Sequence, residues 1–173
     1  LDEIALIDRP YPTSHGVDSG TINPTAFKNG IVLDVAHAAM AAAPSELDLH
    51  RRRSIVTTLH ADDVTVDVSE DWQPYDGGHS RRLVHTVPQV DRDADVAVHS
   101  IALSLAESEH VRHHLDRVAD LLLLDGPLYP TDLFTWRARY PDLGNLLGDA
   151  TAPATIVENY LRVVASPSRF PRS

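Results

Sequence analysis

Two aspartates and a glutamate, far apart in the chain, have the residue types and settings to bring hard oxygen ligands together. Asp125 directly follows Leu121-Leu122-Leu123-Leu124 and precedes Gly126-Pro127. Asp18 lies in His15-Gly16-Val17-Asp18-Ser19-Gly20-Thr21, a second short apolar stretch closed by a turn-prone pair. Four leucines are too few to span a membrane and read as a strand buried on both faces. A carboxylate at the end of such a strand is costly to desolvate unless something cationic meets it. Glu107 falls between the two, on a helical stretch. Three carboxylates converging at strand ends cannot all stay ionised without a neutralising cation. Hard donors of this kind suit Mg²⁺ or Mn²⁺, and such centres serve phosphoryl transfer.

Pattern also gives the elements that must position these residues. Residues 1–14 read as a lead-in segment. Residues 16–18 are a short strand core that Ser19-Gly20 breaks. Asn29-Gly30 turns the chain into a strand over 31–40, and 44–50 is a connector. Residues 53–60 form a β-branched strand, 64–68 alternate as another, and 70–90 read as a long loop or small hairpin. Residues 95–118 carry Ile101, Leu105, Ser108, Val111, Leu115 and Val118 at helical spacing, with Glu107, His110 and His114 on a neighbouring face. The leucine strand follows, then a helix opened by Pro130-Thr131 and an amphipathic helix over 153–164. Residues 166–173 read as a disordered tail. If the first strand and the leucine strand pair in parallel, Asp18 and Asp125 sit on neighbouring strands about 5 Å apart. A helix packed on that sheet then lowers Glu107 toward them.

Composition sets the bounds. The 173 residues suffice for one domain with a real core. There are no cysteines, so disulfides and thiolate metal sites are excluded and a metal must take O or N ligands. No apolar run reaches about 18 residues, so no membrane helix is expected. The first residues show no signal peptide, and a cytoplasmic protein is expected. The net charge is −10 and Lys28 is the only lysine, a balance that resembles proteins adapted to high internal salt. Acidity argues against nucleic-acid binding, but in concentrated salt counterion release adds little to phosphate affinity. A basic footprint can then be weak even in an enzyme acting on DNA.

Val17-Asp18-Ser19-Gly20, the 31–40 segment and Ala119-Asp120-Leu121-Leu122-Leu123-Leu124-Asp125-Gly126-Pro127-Leu128 resemble the NurA family of DNA-end-processing nucleases. The resemblance runs from about Tyr11 to Val164. It implies an α/β, RNase H-like mixed sheet flanked by helices over residues 15–165. It implies Mn²⁺ (or Mg²⁺) as cofactor, DNA ends as substrate, a HerA-type helicase-translocase as partner in 5′-to-3′ resection, and a homodimer in full-length members. Asp18 matches the family's first-strand aspartate, Asp125 the aspartate of its Asp-Gly strand, and Glu107 its helix glutamate. Family members continue past the helix equivalent to 153–164 into a further core strand and a second half. The sequence here runs instead into Ser166-Pro167-Ser168-Arg169-Phe170-Pro171, which reads as a C-terminally truncated copy.

Plainer readings stand beside these. Asp18 before Ser-Gly and Asp125 before Gly are turn-forming types, and Glu107 can be a solvated helix-face residue. Glu109 reads as surface. Glu107-x-x-His110 copies a di-iron ligand spacing, but no other helix carries the motif. His60, His99 and His113-His114 read as solvated or packing residues. Arg51-Arg52-Arg53 and Arg81-Arg82 are weak candidates for phosphate contact, the first also a solvated strand edge. Ser19 lacks the surroundings of a hydrolase elbow. Beside the nuclease stand two alternatives: a non-catalytic, partner-binding remnant of the same fold, and another RNase H-like nuclease such as a junction resolvase.

Overall fold

The structure, a computed structural model, describes residues 11–28, 30–60, 71–87, 92–125, 134–135, 138–139 and 153–165. Strands β1 (Ser14–Ala26), β2 (Val32–Ala43) and β3 (Arg53–His60) run as an antiparallel meander. β5 (Ser80–Val87) lies parallel to β3, β4 (Gln73–Tyr75) antiparallel to β5, and β6 (Leu121–Leu124) parallel to β1. The sheet order is β4-β5-β3-β2-β1-β6. The helices are the short α1 (Leu47–Arg51), the long α2 (Arg92–His114) and α3 (Pro153–Ala165). None among the described residues is long and apolar enough to cross a membrane.

Local chemistry explains the turns. Gly30 takes φ +87° between β1 and β2, a left-handed conformation that glycine adopts without steric cost. Its N–H donates to the Phe27 carbonyl at 3.0 Å. Asp76, Gly77 and Gly78, at φ +52°, +62° and +88°, turn β4 back onto β5. Alternation sets the faces: Asp34, Ala36, Ala38 and Met40 of β2 and Ser54, Val56, Thr58 and His60 of β3 are all buried. Small residues line the seam, Ala36 and Ala38 on the sheet and Ala97, Ala102 and Ala106 on α2, so helix and sheet approach closely. Val56, Leu83, Val87, Ile101, Leu105 and Ile156 complete this core, each contributing about 1.5–3 kcal/mol by leaving water. Val17, Met40, Leu49 and Val111 form a second cluster beneath α1.

Several elements differ from the sequence reading. Ser19-Gly20 does not break β1, because both residues stay in register against Ala38 and His37. The connector over 44–50 contains most of α1. Of the two readings of the stretch over 70–90, the hairpin holds and the long loop does not: β4 and β5 pair antiparallel across the turn at Asp76–Gly78, and β5 is also an interior strand of the sheet. Two consecutive arginines hid its alternation. The leucine strand is not buried on both faces, since β6 is terminal in the described sheet and Leu123 is 55% exposed. The helix over 95–118 ends at His114 and tightens into a 3₁₀ turn, Leu115–Arg117. The strand expected over 64–68, the tail over 166–173, and the helix from Pro130 apart from residues 134–135 and 138–139 lie outside the described residues.

Candidate functional site

The parallel pairing of β1 with β6 places the two aspartates. Val17 is in register with Leu124, the last pair of the ladder, and Asp18 and Asp125 are the next residues along the two chains. A clamp fixes that register at the other end: Thr13 donates from both its amide (2.8 Å) and its hydroxyl (2.7 Å) to Asp120 Oδ2. Both Asp18 and Asp125 are exposed. Asp18 Oδ1 accepts from the Ser19 amide at 2.8 Å, the local bond of a turn-forming aspartate, although no turn occurs there.

Glu107 reaches the same corner from α2. It is only 7% exposed, and accepts from Ser19 Oγ (3.1 Å) on Oε2 and from Tyr160 OH (3.1 Å) on Oε1. Burial pushes its carboxyl above the ordinary range. The two hydroxyl bonds oppose that shift, and the charges of Asp18 and Asp125 add to it. The three acids therefore sense one another. Tyr160, buried on α3, is itself pushed up, first by burial and then by the Glu107 charge. Sequence reasoning found the carboxylates and missed the two hydroxyls that orient Glu107. In the sequence Ser19 reads as half of a turn-prone Ser-Gly pair, and Tyr160 as one more residue of an amphipathic helix.

The neighbouring polar residues of α2 turn elsewhere. Residues 105–111 are buried without interruption, so Glu109 is not a surface residue, as its polarity suggested. It is 4% exposed and receives Arg81, Arg112 (2.9 Å to Oε2) and Asn159 (3.1 Å). Burial alone would raise its carboxyl, but the Arg112 bond and the charges of Arg81 and Arg112 outweigh it and hold the group low. His110 meets Ser54 Oγ at 3.0 Å while Glu107 turns to β1, so the two do not form a di-iron pair. Burial, aided by the charges of His114 and Arg53, drives His110 down to about 3. His60 and His114 are buried rather than solvated. His99 instead lies 2.6 Å from Asp34, an aspartate only 3% exposed.

The candidate arginines are split. Arg51 is exposed at the end of α1, and Arg52 pairs with Asp48 at 3.0 Å. Arg53 donates to the carbonyls of His50 (2.6 Å) and Arg52 (2.7 Å). Arg81 and Arg82 stand on β5 rather than in a loop. Arg81 is engaged by Glu109 and lies 4.5 Å over the Trp72 ring, and Arg82 lies 5.4 Å over Tyr75.

As a ligand set, Asp18, Glu107 and Asp125 offer hard oxygens, with Glu107 raised first by its burial and further by the charges of the two aspartates, and this is chemistry that fits a divalent cation. Among the described residues no three acidic or histidine side chains already stand at ligating distance.

A meander of three strands, parallel partners on either flank, a long helix across one face and acids at the end of the β1–β6 pair define an RNase H-like α/β domain. The sequence model of the NurA domain matches residues 12–166, and the chain belongs to the NurA family, a nuclease family. No curated protein matches the chain.

Proposed function

We propose that this domain hydrolyses phosphodiester bonds of DNA with a divalent cation, Mn²⁺ or Mg²⁺, held by Asp18, Glu107 and Asp125. The observation that carries this reading is the corner itself: a register that ends at Val17–Leu124, one residue before each of two aspartates, with a buried, doubly hydrogen-bonded Glu107 that senses both charges. In the bound state the cation would supply a nucleophilic water at neutral pH and positive charge for the leaving oxygen. The chain's own residues do the positioning. Ser19 and Tyr160 fix the Glu107 carboxylate, the Thr13–Asp120 clamp sets the level of Asp125 against Asp18, and the apolar contacts of Val17 and Leu124 keep the strand ends in place. Family membership supports action at DNA ends in 5′-to-3′ resection, alongside a HerA-type helicase-translocase, by a homodimer.

The test is Mn²⁺-dependent cleavage of linear DNA by wild type and by Asp125→Asn. The substitution keeps shape and removes a charge, so cleavage should fall by at least about a hundredfold, the scale on which removing one stabilising group slows an enzyme, with the thermal midpoint preserved. Retained cleavage removes Asp125 from the mechanism. A second reading, a partner-binding domain without hydrolysis, is favoured by one observation: the carboxylates are not yet at ligating distance. Calorimetry with Mn²⁺ separates the two, because saturable binding lost in Asp125→Asn supports the nuclease and no binding supports the alternative.

A further inference from the structure

We propose that the hollow between the start of β3, the β4–β5 turn and the last turn of α2 binds the phosphate backbone of a DNA strand, with Arg52, Arg53, Arg81 and His114 facing the phosphate and Trp72 forming an apolar wall. The hollow has a volume of about 270 Å³ and these five residues line it, together with His113. In a chain of net charge −10, its lining holds three guanidinium groups and no carboxylate. Such a concentration of one sign focuses anions.

Two observations point to an unmet ligand. Arg53 spends hydrogen bonds only on the main-chain carbonyls of His50 and Arg52, with no carboxylate partner among the described residues. Main-chain oxygens leave its charge uncompensated. His114 is 5% exposed, its Nδ1 lies 2.9 Å from the His110 carbonyl, and its Nε2 is buried without a hydrogen-bond partner. A buried polar atom without a partner is destabilising; a phosphate oxygen can accept from Nε2 once the ring takes up a proton, which burial opposes in the free protein and the negative charge of a bound phosphate favours. Arg52 and Arg81 are tied to Asp48 and Glu109, which are not part of the lining. Each guanidinium carries five N–H donors, and Arg81 Nε has no partner.

Ser19 pairs with Ala38, Ala38 with Ser54 and Ser54 with Arg81, so three strand spacings, about 14 Å, separate the acidic corner from the hollow, about four steps of a stacked DNA strand. Ala38 and Ser54 are buried and Ser54 meets His110 of α2, so a DNA strand that spans the two sites passes around the helix and not along the sheet. The identity of the ligand as DNA rests on the proposed nuclease reading, and the positive hollow does not.

Binding is measured on the full chain in EDTA, where no cleavage can occur, by fluorescence anisotropy of a labelled single-stranded oligonucleotide. Arg53→Gln should weaken binding about tenfold for every sequence and reduce the salt slope by about 0.7. In the wild type, NMR signals of the His114 and Trp72 rings should move as oligonucleotide is added. This second readout needs no variant, so a poorly folded Arg53→Gln does not shelter the proposal. Unchanged affinity in the variant, or stationary His114 and Trp72 signals, overturns it. Inorganic phosphate that competes as strongly as the oligonucleotide also overturns the DNA assignment, in favour of a small phosphate. Binding as described with no Mn²⁺-dependent cleavage leaves this site standing and removes the nuclease reading alone.

Discussion

Glu109 shows what one residue must satisfy when a helix is covered from two sides. Its carboxylate sits under α3, accepts from two arginines and an asparagine, and neutralises Arg81, whose side chain is 16% exposed. Glu109→Ala removes the counter-charge and leaves Arg81 without a carboxylate partner in this structure. Breaking a buried pair from one side costs about 3–5 kcal/mol, and urea unfolding should show a loss of that size. Glu109→Gln keeps the acceptor for Asn159 and should lose less. Equal, near-zero losses in both would show that the network contributes nothing. Little of this was legible in the sequence, because the identity of a glutamate does not tell a solvated helix face from a covered one. The aspartates were easier: each follows an apolar run, and chain order alone suggested the parallel pairing that β1 and β6 make.

At the scale of elements, the site depends on how firmly β6 is held against β1. The pairing is four residues long, and Thr13 and Asp120 anchor its start through one carboxylate oxygen. Hydrogen bonds to a charged acceptor contribute about 1.5–3 kcal/mol. Asp120→Ala should therefore destabilise the domain by about that amount. It should also weaken Mn²⁺ binding several-fold in calorimetry, although Asp120 is at the opposite end of β6 from Asp125. A stability loss with unchanged Mn²⁺ affinity would show that register at the acidic corner does not need the clamp. The helices α2 and α3 could be read from their periodicity, β3 from its β-branched residues, and β2 from the Asn29-Gly30 turn that precedes it. β5 was legible only as half of a small hairpin, and not as an interior strand, since Arg81 and Arg82 interrupt its apolar alternation. Arg81 is accommodated inside only because Glu109 comes down to it from α2, a long-range match that no local pattern carries.

For the molecule as a whole, the covered helix makes stability depend on pH in a definite direction. Burial holds both His110 and His114 below the ordinary histidine value, His110 at about 3. In the unfolded chain each recovers a value near 6.5. Between the two values the unfolded state binds the proton and the folded state does not, so stability rises with pH in that window and is lost as pH falls from about 6.5. Each such proton contributes at most about 1.4 kcal/mol per pH unit. Glu109, held low by its arginines, adds a loss of the same sign further down, through the carboxylate range, whereas the raised Glu107 acts the other way there. The histidine effect is therefore cleanest between pH 7.5 and 5.5, above the carboxylates. Urea midpoints in metal-free buffer should drop across that interval. His110→Gln, whose amide can still meet Ser54, should flatten the drop by up to one proton's worth. A wild-type midpoint that stays level from pH 7.5 to 5.5 would mean that the histidines of α2 meet water in the folded protein, and that the helix is not enclosed between sheet and α3.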